Sequence, residues 1–312
     1  MNAFRNRRVL VTGASGFIGE HLCRALSAAG AEVHGVSRAR RVDGQICARW
    51  HRLDLSDAAD TFQCVRSVAP HYIFHLASHV SGARELEQVL PTFHSNLAST
   101  VNLLCAAARV GCQRVVLAGS LEEGQGSVRE PVPCSPYAAA KWAAAGYARM
   151  FHRLYHVPVV TARLFMVYGP EQKDTSKLIP YVILSLLKGE SPKLSSGRRP
   201  VDWIFVEDVV QGLLHLALAY GVAGRTVDLG SGELVTIRSV VRTVFELMRP
   251  DWKPAFGTLP DRPLEQVLAA RVHETAALIN WRPETPLREG LARTVRWYRE
   301  QTTAQTLRLL VS

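Results

Sequence analysis

The 312-residue sequence predicts an α/β fold: a doubly wound parallel sheet, with a smaller, discontinuous α/β region in the later part of the chain. Two observations carry this. Over the first two-thirds, short β-branched runs alternate with alanine-rich helical stretches, the order of parallel strands joined by crossover helices. A glycine-rich turn, TGASGFIG, also joins the first of these strands to the first helix.

The apolar runs are RVLVTG (8–13), EVHGVS (32–37), YIFHLA (72–77), RVVLAG (114–119) and VPVVTARLF (157–165). Each has few polar interruptions, as strands covered on both faces require. Between them lie EHLCRALSAAG, SNLASTVNLLCAAARVG and AAKWAAAGYARMFHRLY, which read as helices. After Tyr168, Gly169 and Pro170 the alternation stops, and a stretch punctuated by proline and glycine runs to about Pro200. VDWIFVEDVVQGLLHLALAY and RTVDLGSG then resume a strand, helix and strand pattern, and LREGLARTVRWYRE closes the chain as an amphipathic helix. The expected division is residues 1–168 with about 200–230 as one domain, and about 169–199 with 231–312 as the other. In such folds the site lies in a cleft.

Composition narrows the function classes. Hydrophobic residues make up 47% and charged residues 21%, and no apolar run approaches the roughly 20 residues that span a bilayer. The start, MNAFRNRRVLVTG, has no secretory pattern, so a cytoplasmic enzyme without membrane contact is expected. The six cysteines show no metal-ligand spacing, and no metal is expected. Most read as small buried hydrophobes on helices, and packing is also the reading for Cys134, three residues before Tyr137. The net charge of +10 is spread along the chain with no basic tail. It fits an anionic cofactor and substrate, and for most of these residues equally a generic solvated surface, and not nucleic acid.

The turn VTGASGFIGEHL follows a strand and opens a helix. Gly13, Gly16 and Gly19 suit a tight turn, close backbone approach to a pyrophosphate, and close helix-to-strand contact. Ser15, Phe17 and Ile18 stand at the helix N-terminus, where N–H groups and the helix field favour negative charge. This is a Rossmann-type dinucleotide site. The end of the second strand selects the dinucleotide, and it holds Ser37 and Arg38 with no carboxylate to accept from a ribose 2′-hydroxyl. Arginine suits a 2′-phosphate, so NADP(H) is expected, with NAD as the alternative. Asp54 and Leu55, beyond the next short strand, are candidate adenine contacts.

Tyr137 and Lys141 lie four residues apart in SPYAAAKWAAA, on one face of a helix. A free phenol titrates near ~10 and is a sluggish acid or base at neutral pH, and a neighbouring ammonium stabilises its anion. Such pairs also occur on helices with no chemical role, so the rest of the chain must decide.

Together the chain resembles the extended short-chain dehydrogenase/reductase family, its NAD-dependent epimerase/dehydratase group acting largely on nucleotide sugars. The marks are TGASGFIG, the Asp54–Leu55 pair, FHLAS (74–78), Asn96, Ser120, SPYAAAK, VYGP (167–170), DWIFVEDVV (202–210), LGSGE (229–233) and INWRPETPLREGL (279–291). The resemblance implies that Tyr137 exchanges a proton at the reacting carbinol oxygen, that Ser120 hydrogen-bonds the same oxygen, and that Lys141 binds the nicotinamide ribose and lowers the phenol's pKa. It places Leu76, Ala77 and Ser78 beside the cofactor, and implies a homodimer through a helical bundle that includes the Tyr–Lys helix.

The resemblance also sorts the reaction. Dehydratases of the group carry Thr-Asp-Glu where this chain has Ser120, Leu121 and Glu122, so Glu122 is retained without its acid partner. The 3,5-epimerases use a cysteine just beyond the serine, and none stands there. Net reduction of a ketone, or transient oxidation at one carbon, remains. With Arg38 favouring NADP(H), reduction of a 4-keto-6-deoxy nucleotide sugar is the first expectation. The alternatives are a 4-epimerase with retained cofactor, a ketoreductase of another natural-product intermediate, and a non-catalytic NADP sensor. Val201 and Met166 replace an arginine and an asparagine with which the family commonly grips the substrate diphosphate. The resemblance places Lys177, with Leu178 beside it, and Arg262 where the family contacts substrate phosphates; each of the two charges reads equally as a solvated surface charge.

Overall fold

The computed structural model describes residues 2–38, 46–123, 132–249, 251–261 and 266–311. In chain order its elements are β1 (Arg8–Thr12), α1 (Phe17–Ala28), β2 (Glu32–Ser37), β3 (Arg49–Arg52), α2 (Ala58–Val68), β4 (Tyr72–His75), α3 (Val89–Thr92), α4 (Ser99–Val110), β5 (Arg114–Ser120), α5 (Pro136–Tyr155), β6 (Val159–Leu164) and β7 (Met166–Tyr168). There follow α6 (Leu178–Leu187), β8 (Pro200–Phe205), α7 (Val206–Leu218), β9 (Thr226–Leu229), β10 (Leu234–Thr236), α8 (Ile237–Met248), α9 (Val272–Ile279) and α10 (Leu287–Val311). The chain forms two compact units. The first is Met1–Leu164 with Val210–Leu229 and His273–Trp281; the second is Phe165–Val209 with Gly230–Val272 and Arg282–Ser312.

The first unit holds a seven-stranded sheet in the order β3-β2-β1-β4-β5-β6-β9, parallel throughout. The order reverses between β1 and β4, which is the switch point of a doubly wound sheet. The sheet is Rossmann-like, as the alternation predicted. Leu10, Val36, Ile73, Val115 and Val159 pack with Leu103 and Leu104 of α4 in one buried core.

Three strands end earlier than their apolar runs, β6 by a single residue at Leu164. The β1 run stops at Thr12 because Gly13 turns the backbone to φ +67°. The β4 run stops at His75, because Leu76 N–H then turns to the Thr12 carbonyl (3.2 Å) and Ala77 N–H to the Thr12 hydroxyl (3.2 Å). Beneath this bend His75 is fully buried. Its Nδ1 meets Thr12 Oγ1 at 2.7 Å and its Nε2 meets Thr100 Oγ1 at 3.1 Å.

Helix α5 begins where a serine and a proline specify a start. Ser135 caps it by accepting from Ala138 N–H at 3.1 Å, and Pro136 occupies the first turn, where no donor is lost. Ala138, Ala140, Ala144, Ala145 and Ala148 are buried, so small side chains let the helix approach its neighbours closely.

The second unit contains a three-stranded sheet, β10-β8-β7, with β8 antiparallel to β10 and parallel to β7. Its core gathers Tyr168, Ile183, Trp203, Phe205, Val244 and Leu291. Asp202, buried on β8, accepts from Ser231 N–H (2.7 Å), Ser231 Oγ (2.8 Å), Gly232 N–H (2.9 Å) and Ala270 N–H (2.9 Å). Asp208 likewise accepts from the amides of Glu284 and Thr285. These two carboxylates fasten the loops whose motifs stood apart in the sequence.

Candidate active site

The turn between β1 and α1 is closed by Gly16 N–H donating to the Gly13 carbonyl at 2.9 Å. A side chain could not occupy Gly13, since a Cβ there would lie 2.7 Å from Ala77 N and 2.8 Å from the Leu76 carbonyl carbon. At Gly19 it would lie 2.1 Å from the Gly13 oxygen. The structure thus brings Gly13 against Leu76 and Ala77. Gly16 caps α1 with no side-chain bond, so the first-turn amides of Phe17 and Ile18 receive no side-chain cap. Ser15 Oγ approaches Ser37 Oγ to 3.3 Å, which joins this turn to the end of β2. Glycine backbone, uncapped amides and two hydroxyls together fit a dinucleotide pyrophosphate.

Arg38 follows Ser37 on an exposed turn, and its carbonyl accepts from Arg52 Nε at 3.3 Å. Asp54 lies beyond β3. Its carboxylate accepts from Ser56 N–H and Oγ, both at 2.9 Å, and these bonds hold it below the usual carboxylate range; the Arg38 charge acts in the same sense. Leu55 is buried in the core. Ser78 Oγ donates to Asn96 Oδ1 at 3.1 Å, and His79 N–H donates to the same oxygen at 2.6 Å. Asn96 sits in a π-helical turn, Phe93–Ala98, the wider turn that lets its amide reach back to this strand end.

Ser120 ends β5 and is buried. Tyr137 and Lys141 stand one turn apart on α5, with Lys141 Nζ 5.8 Å from the phenol ring centre. Lys141 is buried, and its ammonium donates to the Ala118 carbonyl at 2.8 Å. Ser120, Tyr137 and Lys141 therefore converge at the end of β5. Burial raises the Tyr137 phenol above its ordinary range, and its hydrogen bond with Ser120 pulls the other way. The Lys141 ammonium, one turn from the phenol, is engaged by a β5 carbonyl. Burial pushes Lys141 itself down to about 8, with the Glu123 charge opposing the fall.

Glu122 is half-buried, and its N–H donates to Ser120 Oγ at 3.2 Å. Cys134 is also half-buried and donates its thiol to Glu122 Oε2 at 3.7 Å. The thiol reads in the sequence as packing and in the structure as a polar partner at the site. The cysteines as a group are less uniform than their sequence suggests, since Cys105 is exposed and Cys47 is buried outside any helix.

In the second unit Lys177 caps α6, with Nζ 3.6 Å from Asp174, and Leu178 begins that helix. Val201 is buried in the second core and Met166 packs against it, so both replacements serve packing. Arg262 lies outside the described residues. Among the described residues no cluster of His, Cys, Asp and Glu could hold a metal ion, and no helix is long and apolar enough to cross a membrane.

The geometry explains what the comparisons find. Residues 9–230 match the family model described as the NAD dependent epimerase/dehydratase family. The chain belongs to this family. Among relatives, a UDP-glucose 4-epimerase of Mycolicibacterium smegmatis is 31% identical over 323 residues, covering 95% of this chain and 99% of that protein. A dTDP-glucose 4,6-dehydratase of Streptomyces griseus is 29% identical, covering 93% of each. Among solved structures, the epimerase Mth375 of Methanothermobacter thermautotrophicus superposes with a TM-score of 0.85 at 25% identity, over 97% of this chain and 95% of that one. A Thermus thermophilus UDP-glucose 4-epimerase in complex with NAD gives 0.80 at 29% identity, over 94% and 99%.

In this epimerase/dehydratase family member, one group at the site escaped the sequence reading. Glu123 is 2% exposed, and its Oε1 accepts Ser120 N–H at 2.8 Å. A signal was present: a glutamate three residues after the serine can fold back on it, and Gly119 leaves it room. A Cβ at Gly119 would lie 2.3 Å from Glu123 Oε1.

Proposed function

We propose that the protein transfers hydride at one carbinol or keto carbon of a nucleotide-linked sugar. The observation that carries this reading is the convergence of Ser120, Tyr137 and Lys141 at the end of β5. When bound, the nicotinamide dinucleotide supplies the donor or acceptor of hydride. Gly13, Ser15, Gly16, Phe17 and Ile18 would hold its pyrophosphate; Ser37, Arg38, Asp54 and Leu55 its adenosine end; Leu76, Ala77 and Ser78 its middle. Tyr137 gives a proton to the oxygen in reduction and takes it in oxidation, Ser120 orients that oxygen, and Lys141 keeps positive charge near the phenolate. By the family resemblance, Glu122, Lys177, Leu178 and Arg262 are the proposed substrate contacts.

Arg38, exposed at the end of β2 with no carboxylate beside Ser37, favours NADP(H). With NADPH the forward reaction is reduction, and a 4-keto-6-deoxy sugar is the substrate proposed. A second reading, 4-epimerisation with retained cofactor, is favoured by the identity to a UDP-glucose 4-epimerase. A homodimer through α5 is supported by Tyr147, Leu154 and Tyr155, exposed on that helix, and by Leu90 and Phe93, exposed near α3. The deciding experiment supplies the purified protein with NADPH and a panel of 4-keto nucleotide sugars, following absorbance loss and product. Stoichiometric NADPH consumption is expected. In a parallel assay with 4-hydroxy nucleotide sugars, interconversion of 4-epimers with no net change in cofactor would replace the reductase reading by the epimerase, and no turnover of either panel would remove both.

A further inference from the structure

Beneath Ser120 a row of charges crosses the ends of three strands. Arg163 of β6 lies in register with Gly119 of β5 on one side and Asp228 of β9 on the other. Its Nη1 donates to Asp228 Oδ1 at 3.1 Å, whereas its Nε stands 4.0 Å from Glu123 Oε2. Nε is buried and makes no hydrogen bond among the described residues. The arginine is thus bonded to Asp228 and only loosely to Glu123. All three side chains are at most 12% exposed, so water screens these charges little.

Burial raises the Glu123 carboxyl above its usual range; against this stand a short bond from a neutral donor, Ser120 N–H, and the Arg163 cation at 4.0 Å, which favour its charged form. The other charged groups acting on it are Lys141 and Arg149, both from α5. Lys141 in turn has a neutral acceptor, the Ala118 carbonyl, as its bonded partner, and His75 of β4, held neutral by burial, nearby. A buried ammonium with only a neutral partner tends to lose its proton.

We propose that Glu123 is a positioning residue for the reaction: it fixes the Ser120 backbone and supplies the countercharge that keeps Lys141 an ammonium. The inference rests on the reading of Lys141 as a charged partner of Tyr137. Glu123 is buried, so it acts through Ser120 and Lys141.

Glu123→Gln separates the two roles, because the amide oxygen still accepts Ser120 N–H while the charge is gone. The lysine amine is followed directly by 15N NMR titration of lysine-labelled protein, with Lys141→Met identifying its signal. In E123Q this amine is expected to titrate about one pH unit lower, and the alkaline limb of kcat/KM to move with it. Glu123→Asp keeps a charge and withdraws it by one methylene, so a smaller shift of the same sign is expected; it also serves where the glutamine variant does not fold. An unmoved amine in both variants overturns the inference. A lowered amine with an unmoved kcat/KM profile overturns the positioning role in the reaction, and with it the role of Lys141's charge there.

Discussion

The ammonium of Lys141 donates to the carbonyl of Ala118 at 2.8 Å, so a helix residue is tied to the strand that ends two residues later in Ser120. This bond sets α5 against β5 and with it the approach of Tyr137 to Ser120. It also buries the cation, whose charge is lost as pH rises through about 8. Activity is expected to fall above that pH, with an alkaline limb in kcat/KM near 8. A limb near 10, the range of free lysine, would mean that the amine is not the group titrating.

Tyr137→Phe removes the proton donor and leaves the ring. The turnover number is expected to fall by about 10²- to 10⁴-fold, with dinucleotide affinity, read by fluorescence quenching, within about twofold of the parent. Undiminished turnover would assign the proton to another group.

Gly13→Ala forces a side chain into left-handed backbone at φ +67° and against Ala77 N. The expected cost is about 1 to 3 kcal/mol in urea unfolding. Dinucleotide affinity should drop at least tenfold, because the turn must widen. Calorimetric titration of the variant with NADP and NAD checks both cofactors at once.

Arg38→Asp exchanges a cation for a carboxylate at the end of β2. Affinity for NADP is expected to weaken by about 10- to 100-fold while that for NAD is unchanged or improves. Equal losses for the two dinucleotides would place Arg38 outside the 2′-position.

His75 is fully buried, and burial pushes its imidazole from 6.5 down to about 3. The unfolded chain therefore takes up a proton that the folded one refuses. The stability this confers is complete above about pH 6.5 and is lost as pH falls toward 3, at about 1.4 kcal/mol per pH unit. Urea midpoints at pH 7, 5.5 and 4.5 should decline in the parent protein and decline less in His75→Gln.

Much of the fold was legible because its signals are local. The β-branched runs, the glycine turn and the Ser135–Pro136 helix start act over a few residues, and all appear in the structure within one or two positions of where the sequence puts them. The early end of β4 was not legible, since it depends on Thr12 receiving the backbone of Leu76 and Ala77 from 64 and 65 residues away. β8 was read as a strand, but its pairing with β7 and β10 into a small sheet was not legible, for a related reason. The sheet's strands are three to six residues long and pair across long insertions.

At the site, the sequence by itself determined the residue types and their local spacing: the Gly13 turn, Ser37 and Arg38 in place of an acidic residue, and Tyr137 one helical turn before Lys141. Spacing along a helix or through a tight turn is set by backbone geometry, so it can be read without a fold. Only the tertiary structure decided which of these groups meet and what charge surrounds them. Lys141 turned to Ala118, Cys134 to Glu122, and Glu123 came to lie beneath Ser120 with Arg163 and Asp228 from two further strands. Burial and electrostatic environment are sums over neighbours from distant segments, and no stretch of sequence contains that sum.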